Sequence, residues 1–206
     1  PLMQLLNEKG AESSIEDRKW FAKEAFAGSS GYDTAIFNYF DNGEDSYFRC
    51  AENDAKVLRY GENPHQKGLF FGKFDEMFEQ LHGKEISYNN LLDIDAAVSL
   101  IAEFDELTFA ILKHNNACSL ASRPVLVDAW KAALAGDPVS AFGGVLITYG
   151  KIDKATAEEM NNLFFEVVIA PGYDADALEI LEQKKNRIIL VLKENKTKSL
   201  QFRSLL

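Results

Sequence analysis

The stretch Leu107-Thr-Phe-Ala-Ile-Leu112 decides the fold, because five of its six residues are apolar and only Thr108 interrupts them. Such a run predicts a strand that is buried on both faces, which is typical of a parallel sheet. The next segment, Lys113-His-Asn-Asn-Ala-Cys118, is mostly polar or small and is predicted to be a loop. In open α/β sheets ligands bind at the carboxyl ends of the strands. The stretch therefore predicts a parallel strand that delivers a lysine, an imidazole and two amides to a ligand site.

Strand and helix patterns alternate along the chain from residue 55 onward. The predicted strands are 69–71, 107–112, 145–148, 167–170 and 188–192, and the predicted helices begin at Asn89 or span 124–135, 153–164 and 174–185. This alternation predicts an α/β unit whose parallel or mixed sheet is covered by helices on both faces.

The first 54 residues have a different pattern. Residues 13–28 are predicted to form a helix that opens with a serine capping box and stops at Gly28-Ser-Ser-Gly31. A second short helix is predicted from Asp33 through Tyr39, and the polar stretch that follows indicates a boundary. We therefore expect a short helical segment, 1–54, ahead of an α/β unit, 55–206.

Composition excludes several classes of protein. The chain has 32 acidic and 22 basic residues and a net charge of −10, which argues against a nucleic-acid surface. No apolar run reaches the roughly 18 residues of a membrane span, and the first residues do not resemble a signal peptide. With only two cysteines and no disulfide framework, the sequence predicts a cytoplasmic protein.

A metal site is not predicted. His114 and Cys118 are four residues apart, but a zinc site needs further ligands, and only His65 and His82 remain as histidines. Cys118 is open to two interpretations, a nucleophile or a small residue that fills the loop, and the second is preferred.

Lys113 and His114 carry the strongest chemical signal. A lysine can stabilise developing negative charge while an imidazole beside it moves a proton. The alternative is structural, with His114 satisfied by a neighbouring amide and Lys113 solvated. The catalytic interpretation requires both side chains to project into one cleft that they share with Arg59.

Three other segments have both a binding and a structural interpretation. In Arg59-Tyr-Gly-Glu-Asn-Pro-His-Gln66 the arginine can bind a phosphate or carboxylate and Tyr60 can stack on a planar ring, or the loop can simply bond to itself. The glycines of Asp137–Gly144 let backbone N–H groups approach a ligand, or they serve a tight turn. The amides of Asn89 and Asn90 open a helix, where they can bind an anion or act as caps.

Taken together and in order, these motifs resemble a known family. Leu58–Gln66, Ile86–Asp93, Lys113–Asn116, Asp137–Gly144 and Ile169–Tyr173 resemble the enzymes of purine biosynthesis that join an AICAR formyltransferase to an IMP cyclohydrolase. The resemblance covers essentially the whole chain. It implies that residues 1–54 are the C-terminal end of the cyclohydrolase domain. It also implies that residues 55–206 are the N-terminal part of the formyltransferase domain, a cytidine-deaminase-like α/β fold.

The resemblance implies an activity and a set of site residues. Family members transfer the formyl group of 10-formyltetrahydrofolate to the 5-amino group of the aminoimidazole carboxamide ribonucleotide, AICAR, as metal-free homodimers. By resemblance His114 removes the amine proton and Lys113 stabilises the folate side of the transition state. The positions that correspond to nucleotide contacts are Arg59, Tyr60, Gly143 and Glu166.

The chain departs from the family pattern in two ways. Ala117 and Ser119 stand where many members have proline and glycine, which predicts a less rigid loop. The second formyltransferase subdomain and the cyclohydrolase catalytic region lie outside these residues, so the chain alone is predicted to be inactive. The alternatives are a nucleotide-binding module without catalysis and a Schiff-base lyase that uses Lys113. The polar neighbours of Lys113 argue against the lyase, since they give no apolar pocket to activate an amine.

Overall fold

A computed structural model gives the fold and describes residues 2–10, 12–41 and 47–193. In those ranges the helices are α1 (Leu2–Lys9), α2 (Ile15–Phe40), α3 (Phe74–Met77), α4 (Tyr88–Ile101), α5 (Leu126–Gly136), α6 (Lys154–Met160) and α7 (Ala175–Leu181). The strands are β1 (Ala55–Val57), β2 (Leu69–Phe71), β3 (Phe78–His82), β4 (Thr108–Lys113), β5 (Asn116–Ser122), β6 (Val145–Thr148), β7 (Val167–Ala170) and β8 (Ile188–Leu192). The chain forms two compact units that divide between Ala55 and Lys56.

The first unit contains α1 and α2. The N-terminus of α2 is fixed by a capping box, in which Ser14 and Asp17 bond each other's backbone N–H groups. The predicted stop at Gly28–Gly31 is wrong, because α2 continues to Phe40 and includes the predicted second helix. A glycine inside a helix costs only about 1 kcal/mol relative to alanine and does not remove a hydrogen bond, as a proline would.

The second unit is built on a mixed six-stranded sheet with the order β3-β8-β7-β6-β4-β5, beside a separate ribbon of β1 and β2. Strands β6, β7 and β8 are parallel, and the other neighbours pair antiparallel. The predicted α/β class, with a mixed sheet flanked by helices, is confirmed. The structure adds β3, which gave no clear apolar pattern. It also shortens the two predicted helices at 153–164 and 174–185, which form α6 and α7.

The direction of β4 corrects the prediction from the opening stretch. β4 is buried as predicted, but it is antiparallel to both β5 and β6. The predicted loop after it is also wrong, because a two-residue turn leads directly into β5. An apolar run indicates that a strand is buried on both faces, but it carries no information about the direction of the strand. The edge strand β5 has no apolar run, so the sequence pattern did not predict it.

The core lies on both faces of the sheet, as the two-residue repeat of a strand requires. Phe109 and Ile111 face a core that α5, α6 and α7 cover. Ala110 and Leu112 face the other core, which α4 covers. Each large apolar side chain buried in this way contributes about 1.5–3 kcal/mol. The two cores therefore hold β4 between two layers of packed side chains.

Several strands meet at one end of this sheet. Leu112, the residue before the last of β4, pairs with Val145, the first residue of β6. Val145 pairs with Val167, the first of β7, and Val167 pairs with Ile188, the first of β8. His82, the last residue of β3, pairs with the second residue of β8. We call this the Lys113 end of the sheet.

Candidate functional site

The Lys113 end of the sheet collects the candidate residues of three segments. Lys113 closes β4, Gly143 lies two residues before β6, and Glu166 directly precedes β7. Because β6 and β7 begin here, the site lies at the amino ends of the parallel strands. The prediction that it lies at the carboxyl ends of a parallel sheet is therefore wrong, although the same residues are brought together.

His114 and Asn115 form the turn between β4 and β5. Their φ angles are 55° and 62°, and positive values at both central residues are what a type I′ hairpin turn requires. Asparagine and histidine tolerate this conformation better than most residues. The side-chain amide of Asn116 donates to the carbonyl of His114 at 2.7 Å, and the N–H of Asn115 donates to Oδ1 of Asp93 at 2.7 Å. The backbone that carries the imidazole is thus fixed on both sides.

The two side chains of the Lys113-His114 pair have different surroundings. Nζ of Lys113 donates to the carbonyl oxygen of Phe142 at 2.8 Å, so the lysine reaches the loop before β6. A lysine ammonium has three donors, and two remain for a ligand. The imidazole of His114 is exposed and has no hydrogen-bond or ionic partner among the described residues. Its side chain is accessible to a substrate.

Gly143 is held by the loop that precedes β7. Its φ is 75°, and its N–H donates to the carbonyl of Phe164 at 2.8 Å. That N–H is therefore already used within the protein. The rings of Phe142 and Phe164 lie 5.2 Å apart and are both exposed beside it.

Glu166 receives two hydrogen bonds on one oxygen. Nζ of Lys84 lies 2.9 Å and the side-chain amide of Asn90 lies 3.3 Å from Oε2. Partial burial raises the pKa of Glu166, but the hydrogen bond and charge of Lys84, the amide of Asn90 and the charge of Arg59 together bring that pKa below its ordinary value. The carboxylate is consequently ionised at neutral pH.

Arg59 and Tyr60 lie beside the N-terminus of α4. The N–H of Arg59 donates to the carbonyl of Ile86 at 3.3 Å, and the N–H of Tyr88 donates to the carbonyl of Tyr60 at 3.3 Å. The guanidinium is exposed and lies 5.6 Å from the centre of the Tyr60 ring. These bonds join the loop to the first residues of α4, and Asn90 of that helix binds Glu166.

Helix α4 connects these parts of the site. Ser87 and Asn90 form a buried capping box at its N-terminus, and Asn90 also binds Glu166. One turn further along, Asp93 accepts the N–H of Asn115 from the hairpin turn. A single helix thus contacts Glu166 and the turn that carries His114. The N-terminal end of a helix also favours an anion.

The other candidate groups do not add a second centre. Cys118 lies in β5 and packs partly against the core, and burial, together with the charge of Asp137, raises the pKa of its thiol. It is therefore a poor nucleophile. Within the described residues no group of three or more His, Cys, Asp or Glu side chains is placed to hold a metal. Over the same ranges no helix has the length and apolar character needed to cross a bilayer.

A cavity of about 270 Å³ lies close to this region but does not include its chemical groups. It is lined by Lys56, Val57, Leu58, Phe70, Phe74, Gln80, Glu85, Ile86 and Leu91. The cleft that Lys113, His114 and Arg59 were predicted to share is therefore not this cavity, and it stays a prediction.

Sequence reasoning missed Lys84, Asp93 and Phe142 as members of the site. Lys84 lies 82 residues from Glu166 in the chain, and nothing in its spacing points to that partner. Asp93 belongs to a helix whose first amides were noticed, and Phe142 acts through its backbone carbonyl. These three residues become neighbours of the site only through the strand order, which brings the ends of β3, β4 and β7 together and which local sequence does not reveal.

The chemistry of the assembled groups defines a class of site. Arg59, Lys84 and Lys113 supply positive charge, Glu166 and Asp93 supply two fixed carboxylates, and His114 supplies an accessible acid or base. In a chain with net charge −10, such a local group of cations favours an anionic ligand. The arrangement is that of an α/β protein in which groups able to bind an anion lie beside a group able to transfer a proton.

The comparisons with known proteins agree with this class and make it specific. The whole chain, residues 1–206, matches the family model described as AICARFT/IMPCHase bienzyme. The chain belongs to this family, and the resemblance seen in its motifs is confirmed.

Individual relatives show how much of a protein the chain represents. It is 72% identical over 206 residues to the bifunctional purine biosynthesis protein PurH of Bacteroides thetaiotaomicron, covering 100% of this chain and 41% of the relative. The PurH proteins of Caldicellulosiruptor bescii and Rhodospirillum rubrum are 43% and 44% identical, covering 90% and 93% of this chain and 39% and 38% of their own length. The chain thus spans about two fifths of the length of these relatives.

Proposed function

We propose that this chain is part of a bifunctional enzyme of purine biosynthesis and carries the N-terminal part of its formyltransferase domain. The reaction moves the formyl group of 10-formyltetrahydrofolate to the 5-amino group of AICAR, and ring closure to IMP follows in the intact protein. The observation that supports it best is the convergence of Lys113, Gly143 and Glu166 with the His114 turn at one end of the sheet, to which the Arg59 loop is joined through α4.

The roles of the catalytic pair follow from the chemistry of the substrate amine. Its lone pair is delocalised into the ring and carboxamide, so the nitrogen becomes nucleophilic only as its proton is removed. His114 takes that proton while the nitrogen bonds to the formyl carbon. Lys113 stabilises the negative charge that develops as the bond from the formyl carbon to the folate nitrogen breaks.

The remaining site residues bind the nucleotide. Arg59 presents a planar guanidinium that matches a phosphate, and Tyr60 lies beside it. The ionised Glu166 accepts hydrogen bonds from donor groups of the ligand. Gly143, whose N–H is used internally, contributes backbone without side-chain bulk.

The two units of the chain correspond to different domains in this proposal. Residues 1–54 are the C-terminal end of the IMP cyclohydrolase domain, and residues 55–206 are the N-terminal part of the formyltransferase domain. The division of the fold between Ala55 and Lys56 supports this assignment. The intact protein is proposed to be a cytoplasmic homodimer that needs no metal and uses 10-formyltetrahydrofolate as co-substrate.

A direct assay tests the proposal. The full-length protein that contains these residues, given AICAR and 10-formyltetrahydrofolate, is expected to form the formylated nucleotide. A full-length protein that binds AICAR but shows no formyl transfer would favour the alternative, a nucleotide-binding module without catalysis.

The isolated chain gives the complementary prediction. We expect residues 1–206 alone to show no formyl transfer above background, because by resemblance the folate site is completed by the missing subdomain across a dimer interface. The measurement is the same assay at equal protein concentration, with calorimetry to detect any nucleotide binding that survives. Turnover by the isolated chain at a rate comparable to that of the full-length protein would refute the assignment.

A further inference from the structure

The backbone that carries Lys84 is closely constrained. Gly83 follows the last residue of β3 with a φ of 103°, and a Cβ on it would lie 2.6 Å from the carbonyl carbon of Arg187. Only glycine fits there without displacement of the chain. The side-chain amide of Gln80 then donates to the carbonyls of His82 and Lys84 at 3.2 and 2.9 Å. The backbone of Lys84 is thus held in place before its side chain makes any contact.

The side chain of Lys84 is committed to one oxygen of Glu166. Nζ lies 2.9 Å from Oε2, and the amide of Asn90 binds the same oxygen. Oε1 has no hydrogen-bond partner within the part of the chain that the structure describes. The side chains of Lys84 and Glu166 are 24% and 36% exposed, so the ion pair is partly shielded from solvent but still accessible to a ligand. A carboxylate held by two donors on one oxygen keeps the other as a fixed acceptor.

We propose that Lys84 is a positioning residue, which fixes Glu166 so that Oε1 accepts a hydrogen bond from a hydroxyl or amine donor of the bound nucleotide. This inference rests on the proposed function, because it assigns the nucleotide to this site. Lys84 itself does not touch the ligand. It acts through the carboxylate, and Asn90 supports the same geometry from α4.

The charges around Glu166 give the proposal a pH signature. The groups that face the carboxylate are Lys84 from the end of β3, Asn90 from α4 and Arg59 from the loop beside it. Without the lysine, one cation fewer opposes the effect of burial, so the pKa of Glu166 rises. Nucleotide affinity, which needs the ionised form, then begins to fall at a higher pH as the solution is acidified.

The test compares AICAR binding by full-length wild type, Lys84→Met, Lys84→Arg, Glu166→Gln and the double variant Lys84→Met/Glu166→Gln. Calorimetry between pH 5 and pH 8 is expected to show about tenfold weaker binding for Lys84→Met at neutral pH. As the solution is acidified, the AICAR affinity of Lys84→Met should begin to fall at a higher pH than that of wild type. Lys84→Arg should restore most of the affinity. In the Glu166→Gln background, Lys84→Met should add no further loss.

A matched control separates this effect from general loss of an ion pair. Lys131 and Glu159 also lie 2.9 Å apart, but they connect α5 and α6. Lys131→Met is expected to leave AICAR binding unchanged. Equal losses from Lys131→Met and Lys84→Met, or fully multiplicative losses from Lys84→Met and Glu166→Gln, would overturn the proposal.

The proposed function and this inference fail in different ways. Formyl transfer is not measured in the binding series, so a wild type that binds AICAR without turnover refutes the former and leaves the latter standing. Conversely, an active wild type whose AICAR affinity is insensitive to Lys84→Met refutes only the inference. Circular dichroism of each variant verifies that the fold is intact, and rescue by arginine provides the same control within the series.

Discussion

The turn that carries the imidazole is the most constrained feature at the scale of single residues. His114 and Asn115 both have positive φ, a conformation that costs of order 1–3 kcal/mol for a residue other than glycine. Hydrogen bonds from Asn116 and to Asp93 hold the turn in this state. Strain that the surroundings maintain in this way is common at functional sites, and here it fixes the backbone from which His114 extends.

Gly83 and Gly143 both lie at the Lys113 end of the sheet and both have a positive φ, but only at Gly83 would a Cβ clash with backbone atoms. Gly143→Ala should cost about 1–2 kcal/mol, because its φ of 75° is unfavourable for alanine but its Cβ would meet only the Phe164 ring at 3.7 Å. Gly83→Ala should cost at least twice as much, since its Cβ would overlap the backbone of Arg187.

Urea denaturation of both variants measures this difference as a change in the free energy of unfolding. Gly143→Ala serves as the control for positive φ alone. Equal losses in the two variants would contradict the argument that backbone crowding at Gly83 positions Lys84.

At the scale of elements, helix α4 contributes both to the stability of the fold and to the candidate site. Its capping box of Ser87 and Asn90 is buried, and Asn90 extends the network to Glu166. Helix α6 begins with a simpler cap, in which Asp153 accepts the N–H of Thr156 at 2.8 Å. Both caps satisfy backbone N–H groups at the N-terminus of a helix, but of the two only the cap of α4 contacts the Lys113 end of the sheet.

Removing the two caps should therefore separate stability from binding. Ser87→Ala and Asp153→Ala are each expected to lower the free energy of unfolding by about 1 kcal/mol. Only Ser87→Ala should also weaken AICAR binding by the full-length protein, because it releases Asn90 from its fixed position. Denaturation and calorimetry on the same samples measure both effects, and equal weakening of binding by Asp153→Ala would contradict the role given to α4.

The sequence predicted the elements of the sheet better than their arrangement. The strands at 145–148, 167–170 and 188–192 are confirmed because each is mostly apolar and largely buried on both faces. The direction of β4 and the existence of β5 were missed, since an edge strand is only partly buried and direction depends on partners far along the chain. The predicted stop at Gly28 failed because glycine weakens a helix without ending it.

Prediction of the site had the same limits. Local chemistry and family resemblance predict Lys113, Glu166 and Arg59. The strand order brings Lys113 and Glu166 to one end of the sheet, whereas the Arg59 loop is joined to it through the N-terminus of α4. Lys84 could not be found in this way, because Glu166 lies 82 residues away in the chain and comes close only through the pairing of β3 with β8 and of β8 with β7. Local sequence thus indicates which groups carry chemistry, while the pairing of distant strands decides which of them meet.

At the scale of the whole molecule, the two units differ in how much they bury. The α/β unit has a core on each face of its sheet, whereas no described residue of α1 or α2 is buried. Exposed side chains on α2 include Phe26, Tyr32 and Phe40. Large apolar groups left in solvent are typical of a surface that packs against other protein. This agrees with the proposal that residues 1–54 belong to a larger domain.

The central claim is that the imidazole at the hairpin turn performs the proton transfer, and one substitution tests it most directly. In the full-length protein, His114→Ala should lower kcat for formyl transfer by at least about 100-fold while the Kd for AICAR changes little. His82→Ala is the control, since the hydrogen-bond partner of that imidazole among the described residues is the carbonyl of Lys184, which is outside the site. A His114→Ala enzyme that keeps its kcat, or that loses activity only because AICAR no longer binds, would contradict the account.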